Sequence, residues 1–352
     1  MPMNARVLLD SNVWIAHLML RTNLGAALKH RLVGNPHSIV FPDVVRAEVM
    51  KHAKRIAGEK ASAIADAYDT VASLLGKSFE HELPSPQDIQ SSLAATVADL
   101  GPYLFPVSMS LEDAHRALTR VVDDRAPSAP KNQQFKDCVI WEIALNEAAH
   151  APLHLVTDDR NFFEGRDPKQ RMARALREDC KERGVEISLH VSLEDLLSKM
   201  QEQPQLLDEA KFESTIIPEL QRHLDDFAQR NEFTLREIVA KRFSAFPTAV
   251  YGEVAVSFSF IFAVTDLSRE ADETSIGDQI RVVGSERFNY LHGTGKHAML
   301  DKIDYMKRGT ERVVAKSAQF LYAGNVQPST ILSSISIPTF STASTPTMEQ
   351  GG

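Results

Sequence analysis

Over the first two hundred residues, short apolar runs alternate with stretches of helical spacing. The runs "RVLL" at 6–9, "HSIVF" at 37–41 and "LHLVT" at 153–157 are dominated by apolar residues, the pattern of strands buried on both faces of a parallel sheet. "VEISLHV" at 185–191 reads as a further strand. Residues 12–30 carry Val13, Ile15, Ala16, Met19 and Leu20 at helical spacing, which predicts one helix. Pro42 suits the first turn of the next helix, whose apolar face is Val44, Val45, Val49 and Met50. Residues 59–125 read as a helical insertion outside the sheet: an Ala-rich amphipathic stretch, a segment with a Ser-Pro start and a Gly stop, and a helix opening on the capping box Ser110 and Asp113. Helices are predicted from Phe135 to about 149, over 171–184 with its stop at Gly184, and over 192–200. The alternation ends near residue 202, and "QEQPQ" reads as a linker.

The second part has a different pattern. Residues 206–245 read as helical. "TAVYGEVAVSFSFIFAV" alternates with period two, and "DQIRVVGSERFNYL" and "ERVVAKSAQFLYAG" read as further strands. Phe258, Phe260 and Phe262 are expected in its core. The segment beyond Gln327 is rich in Ser, Thr and Pro and reads as a disordered tail. The fold class is therefore α/β: a parallel sheet flanked by helices with a helical insertion (1–202), then a smaller α+β domain (206–327) and a tail (328–352).

Composition narrows the function. With 352 residues, 43% hydrophobic and 24% charged, the chain is that of a soluble globular protein of two domains. It has no apolar run long enough to cross a bilayer and no signal-peptide pattern, so a cytoplasmic location is expected. Cys138 and Cys180 are too few for a zinc cluster, and the twelve histidines show no metal-ligand spacing. A net charge of −8 argues against a nucleic-acid coat protein, though not against a nuclease whose acids are countered by metal. Gly293 and Gly295 in "HGTGKH" lack the context of a phosphate-binding loop.

Four acids stand where a strand gives way to a helix or lie early in that helix: Asp10 in "VLLDSNVWI", Glu48 in "FPDVVRAEV", Asp137 in "KDCVIWEIAL" and Asp159 in "LVTDDRNFF". Each has an ordinary explanation by itself. Asp10 suits a helix cap, Glu48 a solvated helix face, Asp137 the positive end of a helix dipole, and Asp158 with Asp159 a turn. Carboxylates at the carboxyl ends of parallel strands meet in one crevice, however. Four there cannot all stay ionised and unpaired. Hard oxygen donors of this kind select Mg²⁺ or Mn²⁺.

These four motifs, in this order, resemble those of the PIN domain, the metal-dependent ribonuclease superfamily that includes VapC-type toxins. The resemblance covers about the first 200 residues. Its long segment between Glu48 and Asp137 is more similar to larger bacterial PIN-like proteins than to compact toxins. It implies that Asp10, Asp137 and Asp159 bind Mg²⁺ or Mn²⁺, with Glu48 reaching the ion through water and Asp158 beside them in a variable slot. Ser11, Asn12 and Thr157 would orient the carboxylates or touch a phosphate, and Lys136, Arg160, Lys51 and Arg55 would bind the substrate backbone. The chemistry implied is hydrolysis of RNA that leaves a 5′ phosphate and a 3′ hydroxyl, in a toxin or a defence effector.

Two other readings stand beside this one: an inactive PIN-like scaffold that binds RNA, and a related DNA nuclease. A haloacid-dehalogenase-like phosphatase is excluded, because it needs an Asp two residues after the first and position 12 is Asn. Residues 206–327 are open to three roles: recognising substrate, forming a homodimer, or restraining the nuclease. Because uncontrolled RNA cleavage is harmful, an inhibitor or antitoxin protein is an expected partner.

Overall fold

A computed structural model describes residues 5–33, 38–77, 82–130, 133–201, 207–230, 233–266, 279–306, 313–316 and 321–323. The expected tail and nearly all of the expected linker lie outside them.

The first unit runs β1 (Arg6–Leu9), α1 (Ser11–Ala16), α2 (Asn23–Arg31), β2 (Ile39–Pro42), α3 (Asp43–Leu75), α4 (Pro86–Asp99), β3 (Leu104–Val107), α5 (Leu111–Val122), α6 (Phe135–Ala148), β4 (Leu153–Val156), α7 (Arg174–Arg183), β5 (Ile187–His190) and α8 (Leu193–Met200). The five strands are parallel in the order β3-β2-β1-β4-β5, with Leu8 opposite Val40 on one side and Leu155 on the other. The central apolar runs are fully buried, and helices cover both faces, as a parallel sheet requires. Trp14, Trp141 and Cys138 lie in this core, as expected.

Two expectations about this unit fail. Residues 59–125 are not all outside the sheet, since β3 adds an edge strand parallel to β2. Its sequence, "LFPV", follows Gly101-Pro102 and contains a proline, which hid the strand signal; an edge position tolerates that proline. The insertion proper is the outer part of α3 with α4 packed on it, while α5 packs against α6. Residues 12–30 do not form one helix either. Leu18, Met19 and Leu20 turn through left-handed backbone (φ 47, 55 and 62°), and α2 restarts with the Thr22 hydroxyl accepting from Gly25 N at 3.2 Å. Gly25 permits the turn, because a Cβ there would lie 2.6 Å from the Leu20 backbone.

A buried ionic network ties α5 to α6 and α7. Arg120 donates to Glu142 at 2.5 Å, to Asp179 at 2.6 Å and to the Ala126 carbonyl at 3.0 Å. Trp141 Nε1 also donates to Asp179, at 2.9 Å.

The second unit comprises α9 (Glu209–Arg230), β6 (Phe233–Pro247), β7 (Glu253–Asp266), β8 (Gln279–Asn289), β9 (Thr294–Met306), β10 (Val313–Lys316) and β11 (Leu321–Ala323). The sheet is antiparallel in the order β10-β9-β8-β7-β6, with β11 also pairing β9. The expectation of helix over 206–245 is corrected here: the helix ends at Arg230 and 233–247 is strand. Irregularities between Leu235 and Ile238 and between Ile238 and Ala240 break the period-two pattern that would have shown it. The β9 strand was not anticipated either; it follows a turn at Gly293, where φ is 65°. Phe212, Ile216, Leu220 and Leu224 of α9 pack on the sheet with Phe258, Phe260 and Phe262, which are buried as expected.

The two units share an interface. Helix α2 packs across β6, β7 and β8, and Phe246 and Ala255 join the core of the first unit. Asn23 donates to the His297 carbonyl at 2.9 Å and to Ser285 Oγ at 3.3 Å, while Ser244 Oγ donates to Glu194 at 2.9 Å. Among the described residues, no helix is long and apolar enough to cross a membrane.

Candidate active site

The sheet reverses its direction of winding at β1, which is flanked by β2 and β4. The crevice beyond the carboxyl ends of β1 and β4 is where such sheets bind ligands. Asp10 follows β1 directly. Its main-chain N–H bonds the Val156 carbonyl at 3.0 Å, which fastens the end of β1 to β4. Its side chain caps α1, accepting from Ser11 N at 2.6 Å, so the capping reading is correct. The other carboxylate oxygen accepts from Thr157 Oγ1 at 2.8 Å. Thr157 is wholly buried, and its hydroxyl also accepts from Asp159 N at 3.1 Å. One threonine at the end of β4 thus sets two of the acids.

Asp159 opens a 3₁₀ turn. Its Oδ1 accepts from the backbone and side-chain nitrogens of Asn161, both at 2.8 Å. Asp137 stands in the first turn of α6 and hydrogen-bonds Asp159. Glu48, early in α3, accepts from Lys136 at 2.5 Å and from Ser11, with His52 one turn on at 3.7 Å.

Electrostatics show that the four acids have converged. Burial pushes the Asp137 carboxyl up to about 8, and the charges of Asp159, Asp10 and Glu48 add to that. Burial raises Asp10 too, with Thr157 and Ser11 opposing it and Asp158 and Asp159 adding to it. Burial would also raise Glu48, but Lys136, Ser11 and His52 together hold it below the usual carboxylate range. The charges that bear most on Asp137 are all negative.

A divalent ion fits this set in charge and in donor chemistry rather than in a ready-made shell. Among the described residues, no three His, Cys, Asp or Glu side chains stand in a ligating arrangement. Instead Asp137 leans on Asp159, and Lys136 occupies Glu48. Both contacts partly neutralise the cluster, and an ion would take over that task.

The remaining expected residues divide. Ser11 touches both Asp10 and Glu48, while Asn12 is exposed on α1. Asp158 is exposed and bears on the cluster through its charge on Asp10. Arg160 and Lys51 are exposed. Arg55 is engaged elsewhere, by Glu59 at 2.8 Å, two turns along α3 from Glu48. Asn161 and His52 were not singled out from the sequence. The Asp-x-Asn turn and the i, i+4 spacing from Glu48 were the available signals.

Residues 7–163 match a family model described as PIN domain, a span that holds all four acids. No curated protein and no solved structure matches the chain.

Proposed function

We propose that the PIN domain of this chain is a metal-dependent endoribonuclease. PIN domains are generally nucleases, and the match of residues 7–163 to that family model supports a nuclease here. The observation that carries the finer reading is the meeting of Asp10, Glu48, Asp137 and Asp159, with the Asp137 carboxyl pushed to about 8 by burial and by its three neighbours. A cluster built only for stability would not leave such repulsion uncompensated.

Asp10, Asp137 and Asp159 would hold one or two Mg²⁺ or Mn²⁺, with Glu48 acting through water and Asp158 at the rim. Held there, an ion would offer a water of lowered pKa and positive charge near a departing 3′ oxygen. The protein's part is to fix the donors. Thr157 and Ser11 hold Asp10, and Asn161 holds Asp159. Lys136 pairs with Glu48 but is well exposed, so it is free to swing to a phosphate when Glu48 is engaged otherwise. Arg160 and Lys51 offer further charge to the backbone of the strand.

The test is cleavage of labelled RNA and single-stranded DNA of one sequence by the full chain, with Mg²⁺, Mn²⁺ or EDTA. The proposal expects RNA to be cut internally, only with metal, and to leave 5′ phosphates. Preferential cutting of DNA would move the assignment to a DNA nuclease. Binding of RNA without cutting would favour the scaffold reading.

A further inference from the structure

The second unit has no part in the carboxylate cluster, yet it closes a cleft against the first. Two adjoining cavities of about 590 and 430 Å³ lie along that interface and share Arg21, Lys29, Thr96 and Arg287 as walls. Arg21 and Lys29 come from the first unit, and Arg287 from β8 of the second. Arg21 donates to Thr96 Oγ1 at 2.7 Å. Among the described residues, no carboxylate forms an ion pair with any of the three, although Asp99 and Glu253 border the smaller cavity. Arg287 Nε is buried without a hydrogen-bond partner. Burial and the charges of Arg287 and Arg21 lower the Lys29 pKa, with Asp99 opposing them, so the three cations bear on one another.

The larger cavity also has an apolar wall, which includes Ile15, Ile56 and Leu93. Part of its boundary is the left-handed turn at Leu18 and Met19. Backbone in this region is disfavoured for side chains of this kind, and such strain tends to be kept where a site needs its shape. Three cations that converge with no ion pair among the described residues, one of them with a buried unpartnered Nε, call for more negative charge than Asp99 and Glu253 at the cavity's border supply. Inorganic phosphate alone would leave the apolar wall bare. A cavity of this size suits a small molecule with a few polar anchors.

We propose that this cleft binds a nucleotide, with its phosphate held by Arg21, Lys29 and Arg287 and its base laid against Ile15, Ile56 and Leu93. The site exists only where the two units meet, which gives the second unit a role in binding.

The experiment is calorimetric titration of the full chain in EDTA, where metal-dependent cleavage is silent and the result does not depend on the nuclease reading. The probes are the adenine and guanine mono-, di- and triphosphates, adenosine, inorganic phosphate and a five-nucleotide RNA. At least one nucleotide should bind once per chain with roughly micromolar Kd, adenosine and phosphate at least about tenfold more weakly. Lys29→Gln and Arg287→Gln should each weaken that binding by about tenfold or more, as should Ala57→Trp, which fills the apolar side. Circular dichroism and melting of each variant would verify that it is folded. The proposal is overturned if no nucleotide binds, if folded Lys29→Gln and Arg287→Gln bind as well as wild type, or if only the RNA oligomer binds.

Discussion

Replacing Thr157 with Val tests whether the hydroxyl at the end of β4 organises the acidic cluster. Val matches the shape of Thr, so packing alone makes this the mild change and Thr157→Ser the worse one. The hydrogen bonds reverse that order. Thr157 is wholly buried; its hydroxyl donates to Asp10 at 2.8 Å and accepts from Asp159 N at 3.1 Å. A bond to a charged group contributes about 1.5–3 kcal/mol, and an unmade buried one costs about 1–3. Asp10 is only 5% exposed and water cannot readily replace the donor, whereas the half-buried Asp159 leaves its N–H closer to solvent. Thr157→Val should therefore cost about 2–4 kcal/mol. Thr157→Ser keeps the hydroxyl and loses one methyl, about 1 kcal/mol. Urea unfolding followed by tryptophan fluorescence reads this well, because the chain has two tryptophans and both are buried in the first unit. A Val variant as stable as the Ser variant, or more so, would refute the reasoning.

Three further outcomes follow from the structure. Arg120→Met should destabilise the first unit by about 1–3 kcal/mol, because Glu142 and Asp179 lose the buried cation they share and keep only Arg183 and Arg125, which reach in from the surface, and Trp141 Nε1; the same urea assay would measure this, and no measurable loss would contradict it. Gly25→Ala should lower the melting temperature and shift the turn before α2, since the added Cβ would meet the Leu20 backbone at 2.6 Å; an unchanged melting curve would show that the turn is not pinned there. Glu286 is wholly buried, and both its oxygens lack hydrogen-bond partners among the described residues; burial, with the charge of Glu219, pushes it up from 4.5 to about 8. Its contribution to stability is thus fully present below pH 4.5 and lost as pH rises through 8, so Glu286→Gln should stabilise the chain at pH 8 and do little at pH 4. Melting curves across that range would show it, and equal effects at both ends would count against it.

What could be read from the sequence was what local pattern controls. Each central strand is a short apolar run, and Asp10 and Asp159 fall at the ends of β1 and β4, so both the sheet and the meeting place of the acids were visible. Three kinds of feature were not. The left-handed turn at 18–20 is built from Leu and Met, which carry no turn signal, and it depends on Gly25 lying against Leu20. The β6 strand hides its alternation behind irregular pairing with β7, and β3 hides behind its proline. Contacts between distant residues left no trace at all: Arg120 with Glu142 and Asp179, Lys136 with Glu48, and Asn23 with the second unit. The convergence of the acids was therefore legible, while their supports and the interdomain cleft appear only once the chain is folded.

Whether the four acids form a metal-dependent ribonuclease centre is best measured by RNA cleavage in Mg²⁺ or Mn²⁺ by wild type, Asp10→Asn and Asp137→Asn. Melting curves in EDTA would accompany the assay to show that each variant is folded. Wild type should cut, and both folded variants should lose at least about a hundredfold of its rate, the scale set by losing a group that holds the reacting centre. Folded variants that cut RNA as fast as wild type would contradict it.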